Sequence, residues 1–240
     1  MADIVKLFPY PEFRPKQKEI LVKCWELFES GCRLVLLDAP VGFGKSAVNT
    51  ALCRYYTPSA YTTPQLSLID QILSDKYLSP FFVEIKGREN YLCPKDNFLT
   101  TVRYGKCRRT KEHGCDRFKE CPYYSQKIKA IQSEMALMST AYYLVDAYLD
   151  PPNFGERNLV VIDEGHMLAE HVANQISLPV TRKSIPEKIW RRYEPMLHEE
   201  PSPAILDMIA NDMMRFISEK QDKLDEGGEL TDEETVEKLK

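Results

Sequence analysis

The chain has 240 residues, of which 43% are hydrophobic and 28% charged, with a formal net charge of -4 at pH 7. That balance excludes a disordered tail and supplies enough apolar material for a sizeable core, as one large domain or one domain carrying insertions. No apolar run approaches the roughly 18 to 20 residues that span a bilayer, and the opening MADIVKLFPY lacks both a basic n-region and an apolar h-region, so a soluble intracellular protein is expected.

The first strong signal is RLVLLDAPVGFGKSAVNTALCRYY, residues 33–56. An apolar strand at Leu34–Asp38 is predicted to enter a glycine-containing turn and leave as a helix from about Lys45, with Ala47, Val48, Ala51 and Leu52 on its apolar stripe. In that setting Ala39, Pro40, Gly42, Gly44, Lys45 and Ser46 read as a P-loop. Backbone amides would cradle phosphates of ATP, Lys45 would reach the β/γ oxygens, and Ser46 would ligate Mg²⁺. The bland alternative is a chance Gly-Lys-Ser.

The seven cysteines divide into two groups. Cys24, Cys32 and Cys53 lie among apolar residues, as small buried hydrophobes do. Cys93, Cys107, Cys115 and Cys121 crowd into residues 91–124, with thirteen, seven and five residues between successive thiols. In a reducing compartment such a cluster points to metal or catalysis. Iron–sulfur and structural zinc both remain open; zinc sites usually bring C-x₂₋₄-C pairs, which this spacing lacks, and His113 could replace one thiolate in either. Residues 86–129 also hold twelve Lys or Arg against five acids, interleaved with Tyr91, Tyr104, Phe118, Tyr123 and Tyr124. Cations beside rings are the composition of a single-strand nucleic-acid path, although a small metal domain with a solvated surface would use the same residues.

SQKIKAIQSEMALM, from Ser125, reads as helix, and NLVVIDEGH then supplies an apolar strand at Leu159–Ile162. Asp163 and Glu164 follow it at the end where ligands sit in parallel sheets. Beside a P-loop, Asp163 would hold Mg²⁺ through its water shell and Glu164 would orient and deprotonate the attacking water; an ordinary solvated cap is the alternative. Helical patterns follow at about 184–198 and 202–224, then the capping-type LTDEETVEKL in an acidic stretch with nine acids against four lysines from Ser218 onward.

Several segments together resemble superfamily 2 helicases of the XPD/DinG type. DEGH is similar to their DEAH-type Walker B, with Gly165 for the usual alanine and His166 in the ATP-binding set; Ala39 fits the A-x-x-G-x-G-K-[ST] loop of such helicases. PEFRPKQKEI resembles their adenine-reading Q motif through Arg14 and Gln17, and AYTTPQLSLIDQ resembles motif Ia, whose Thr62, Thr63 and Pro64 would meet a nucleic-acid backbone. KGRENYLCP is similar to the segment that opens the family's iron–sulfur domain.

The resemblance implies an α/β RecA-like P-loop motor domain with a parallel sheet, interrupted by a small iron–sulfur domain and followed by a partial helical arch. Residues 1–85 and 126–170 would form the motor domain, 86–125 the insertion holding a [4Fe–4S] cluster on Cys93, Cys107, Cys115 and Cys121, and 171–240 the arch. It further implies 5′→3′ translocation on single-stranded DNA driven by ATP hydrolysis at Lys45 and Glu164, fork-like DNA as a partner, nucleic-acid contacts at Arg88, Tyr91, Arg108 and Arg109, and a cytoplasmic or nucleoid-associated location. Where the family has an Asn near the bound strand, Ser139 and Thr140 stand here. A second motor domain with its arginine finger is not among the 240 residues, so slow turnover is expected of this chain alone, which would be either a fragment of a longer helicase or one chain of an enzyme that a second chain completes. Rival expectations are an ATP- and nucleic-acid-binding regulator and a P-loop ATPase with structural zinc.

Overall fold

The computed structural model describes residues 2–105, 115, 117–176, 182, 185–197 and 202–225. Two compact units divide the chain, Met1–Ile176 and Ser177–Lys240.

The first unit is built on a four-stranded sheet of β1 (Ser59–Thr63), β2 (Val83–Ile85), β3 (Met135–Ser139) and β4 (Leu159–Ile162) in the order β2-β3-β1-β4. Every neighbouring pair is parallel, so all four strands deliver their C-terminal ends to one edge. The connections are helices: α1 (Ala2–Lys6), α2 (Gln17–Glu29), α3 (Lys45–Tyr55), α4 (Leu66–Ser74), α5 (Pro122–Gln132), α6 (Thr140–Ala147) and α7 (Leu168–Ile176). This is the α/β arrangement expected of a RecA-like motor domain.

Local chemistry explains the central elements. The five residues of β1 are all buried, and SAYTT, with two β-branched threonines and an aromatic ring, suits a pleated surface covered on both faces. On α3, Ala47 and Ala51 form one four-residue step and Val48 and Leu52 another; all four are buried against Ile4 of α1 and Leu21 and Cys24 of α2. Full burial of a side chain such as Val48 stabilises by about 1.5–3 kcal/mol. A second apolar cluster joins Tyr61 and Leu137 of the sheet to Ile69 and Ile72 of α4 and to Phe82.

Two elements differ from expectation. Leu34–Asp38 forms no strand; Leu34 is 77% and Leu36 87% exposed. A ladder needs a partner, and among the described residues β4 pairs with β1 alone. The segment and the outer side of β4 instead line a common cavity of about 450 Å³, and β4 is only partly buried although its sequence reads as a buried strand. The helix from Ser125 stops at Gln132, and Met135–Ser139 is the buried strand β3 rather than a continuation. A short apolar run such as MALM carries no periodicity that separates helix from strand.

The second unit packs Ile185 and two residues of α8 (Glu187–Tyr193), Ile189 and Tyr193, with Ile209 of α9 (Pro203–Asp225). These helices correspond to the two patterns expected after residue 184. LTDEETVEKL lies outside the described residues.

Candidate functional site

The glycine-containing turn expected to be a P-loop enters α3 at Gly44, whose φ of 86° is left-handed. A Cβ there would stand 2.5 Å from Gln17 Nε2, so both the backbone conformation and the close approach require glycine. Gln17 is buried at the start of α2, where its Nε2 donates to the Phe43 carbonyl at 2.7 Å and its Oε1 accepts from Arg14 N at 2.7 Å. Arg14 Nη1 donates to the Gly42 carbonyl. The two expected adenine-reading residues thus brace the carbonyls of the loop. Lys45 Nζ donates to the Ala39 carbonyl at 2.9 Å, which folds its cation over the loop. Pro40 accepts at its carbonyl from Phe43 N at 3.2 Å, closing the turn.

Ser46, on the first turn of α3, and Asp163, immediately after β4, line one cleft of about 340 Å³. They meet through Tyr61. Its hydroxyl donates to Asp163 Oδ2 at 3.0 Å, and the side chains of Ser46 and Asn49 approach the same phenol from α3. Burial first, then the Asp163 charge, push the Tyr61 phenol far above its usual range, so it stays a donor. Asp163 Oδ1 accepts from Glu164 N at 3.1 Å. Glu164 itself sits at φ 51°, a left-handed non-glycine conformation of the kind that costs about 1–3 kcal/mol and gathers at functional sites. Its Oε2 lies 3.5 Å from His166 Nδ1, and both side chains face solvent. The Ser46 hydroxyl and the Asp163 carboxylate therefore meet at one cleft at the C-terminal edge of the sheet, the edge where parallel sheets bind ligands, while Lys45 and Glu164 line the adjoining cavity of about 450 Å³ that shares Asp163.

The far wall of the cleft holds residues that the sequence did not single out. Tyr10 and Tyr77 stand 5.0 Å apart between ring centroids, and the Tyr10 hydroxyl donates to Asp75 Oδ2 at 2.5 Å. Burial and that hydrogen bond push the Tyr10 phenol up to about 12. Burial also acts to raise the Asp75 carboxyl, but bonds from Tyr10 and from the Tyr77 and Leu78 amides outweigh it and hold the group below the usual range.

A groove of about 730 Å³ runs along the same edge, passing Pro64 after β1, Gly87 after β2 and Ser139 at the end of β3. Arg88, Arg103 and Lys127 line it beside Glu89 and Asp146, which leaves an excess of one positive charge. The Arg88 guanidinium lies 5.3 Å from the Tyr123 ring centroid, and the hydroxyls of Tyr123 and Tyr142 are 2.9 Å apart. Arg103 pairs with Glu89 at 2.6 Å. Tyr91 sits behind this wall, edge-on to Tyr123 at 5.6 Å, and its hydroxyl accepts from Lys86 N. Ser139 caps α6 by accepting from Tyr142 N. Thr62 and Thr63 are fully buried, with hydroxyls that donate to the Val161 and Gln65 carbonyls, so their side chains are not available to a backbone in the groove. Arg108 and Arg109 lie outside the described residues.

Of the four clustered cysteines, Cys93 and Cys121 are buried in one apolar cluster with Val102 and Tyr123, and Cys115 is half-buried. Cys107 lies outside the described residues, as does His113. A Cβ on Gly105 would stand 2.7 Å from Cys93 Sγ, so the chain passes directly over that thiol. Two buried thiols beside such a close approach fit a soft metal group in donor type. Among the described residues, no three His, Cys, Asp or Glu side chains gather into a ligating set.

No described helix is long and apolar enough to cross a membrane. No curated protein matches the chain. The family described as Type III restriction enzyme, res subunit, matches residues 10–194, an interval that runs from Tyr10 through the P-loop, the whole sheet and Asp163 to α8. A parallel α/β sheet that brings Ser46 of α3 and the carboxylate after β4 to one cleft agrees with that match, and the chain therefore belongs to this family, a superfamily 2 helicase-type domain.

Proposed function

We propose that this chain is the nucleotide-binding part of an ATP-dependent DNA helicase of the XPD/DinG type, which moves 5′→3′ on single-stranded DNA. The observation that carries the reading is the meeting of Ser46 and Asp163 at one cleft, with a cationic, aromatic groove on the same sheet edge.

In this reading Arg14 and Gln17 face the adenine end of ATP, where Tyr10 and Tyr77 offer rings for stacking. The loop amides from Ala39 to Gly44 cradle the phosphates, and Lys45 leaves the Ala39 carbonyl to neutralise the β/γ oxygens. Ser46 and Asp163 hold Mg²⁺, while Glu164, steadied by His166, orients the attacking water and takes its proton. Arg88 and its neighbours in the groove bind phosphates. Cys93, Cys107, Cys115 and Cys121 would hold a [4Fe–4S] cluster, which supplies a cross-link for a loop-rich segment.

An anaerobic preparation tests both halves. Mg-ATP and single-stranded DNA should each bind, and the protein should carry about four irons with a broad absorbance at about 400 nm. Stoichiometric zinc without colour overturns the cluster, and the absence of any Mg-ATP binding overturns the motor reading.

A further inference from the structure

We infer that Tyr61 is a positioning residue that locks the Asp163 carboxylate to the first turn of α3 and so sets the affinity of the cleft for a divalent cation with ATP. The inference rests on the nucleotide-binding reading above and names a residue for which the P-loop and the acidic pair provide no role.

The geometry is specific. Tyr61 is the middle residue of β1, which lies between β3 and β4, and its side chain is fully buried. Phe82 packs edge-on against the ring at 5.6 Å between centroids, which fixes the direction of the phenol. The hydroxyl donates to Asp163 Oδ2 at 3.0 Å and has Ser46 and Asn49 on its α3 side. Asp163 N donates to the Thr62 carbonyl at 2.9 Å, so backbone and carboxylate are both tied to β1. Oδ1 accepts from Glu164 N, so both carboxylate oxygens are held where Asp163 lines the cleft.

A phenylalanine would keep the ring and its packing while deleting only the donor. Asp163 Oδ2 would then be released to rotate, and the serine and carboxylate would no longer be held in register. Loss of a hydrogen bond to a charged group corresponds to a factor of about ten or more.

The test is a Mg²⁺ titration of fluorescent ATP-analogue binding by the full chain, using wild type, Tyr61→Phe, Asp163→Asn and the double variant. Tyr61→Phe should raise the Mg²⁺ concentration needed for half-maximal binding about tenfold, while affinity measured in EDTA changes less than about twofold. In the Asp163→Asn background, Tyr61→Phe should add almost nothing to the Mg²⁺ midpoint, because the anionic ligand through which the phenol acts is gone. A Mg²⁺ midpoint unchanged by Tyr61→Phe overturns the inference. An equal loss with and without Mg²⁺ also overturns it, since that would be a packing effect. Wild-type binding that ignores Mg²⁺ would overturn the nucleotide-site reading itself, and the inference with it.

Discussion

Gly44→Ala probes the joint between α2 and the P-loop. At φ 86° an alanine pays for the left-handed conformation, about 1–2 kcal/mol. Its Cβ would also stand 2.5 Å from Gln17 Nε2, a buried amide that donates to the Phe43 carbonyl. Displacing that amide forfeits one or two hydrogen bonds at about 1 kcal/mol each. The total is about 2–4 kcal/mol, which for a unit of this size lowers the melting temperature by about 4–16 °C. Gly42→Ala is the control: its φ is 83° but nothing lies within 4 Å of the new Cβ, so only the conformational part remains. Thermal melting of wild type, Gly42→Ala, Gly44→Ala and Gly44→Ala with Gln17→Ala measures both parts. The double variant should lose less than the sum of its singles, because removing the amide removes the clash. Equal effects at the two glycines, or strict additivity in the double variant, would refute the close-approach argument.

Lys45→Ala should abolish Mg-ATP binding, whereas Glu164→Gln should leave binding intact and remove turnover, read by analogue binding and phosphate release. Arg88→Ala should weaken single-stranded DNA binding and reduce the magnitude of its salt slope by about 0.7, as expected for one lost phosphate contact. Tyr10→Phe should return the Asp75 carboxyl upward. Because Asp75 is depressed in the folded state, its stabilisation is present above the unfolded value of about 3.9 and is lost as pH falls through the folded one, so the variant should lose less stability on acidification. Burial pushes the Cys53 thiol up to about 12 while Cys32 is exposed, so alkylation of the native protein should label Cys32 and spare Cys53, as peptide mass mapping would record.

What was legible in the sequence is what depends on neighbours in the chain. The glycine turn, the helix from Lys45 and the strand before Asp163 follow from local spacing, and the structure forms α3 and β4 at those places. The strand expected at Leu34–Asp38 depends on a ladder partner, which no local pattern reveals, and without one Leu34 and Leu36 face solvent. Tyr61 was illegible for the same reason: its partner is 102 positions away, and nothing in SAYTT marks a central-strand tyrosine as more than core. The buried hydroxyls of Thr62 and Thr63 show the converse, since a turn that resembles a nucleic-acid contact spends its side chains on the sheet.

The position of β1 in the middle of the sheet sets a length scale for the molecule. Tyr61, buried beneath the cleft, holds Asp163, and Pro64, three residues further on, forms a lip of the groove. At about 3.3 Å per residue the two are separated by about 10 Å of extended backbone. That backbone is an inextensible strut held by ladders on both sides, with no loop to absorb a displacement. A shift of Asp163 that drags Tyr61 along the strand direction must therefore move the groove lip by a comparable amount, whereas a glycine inserted between Thr63 and Pro64 would take up the motion as slack.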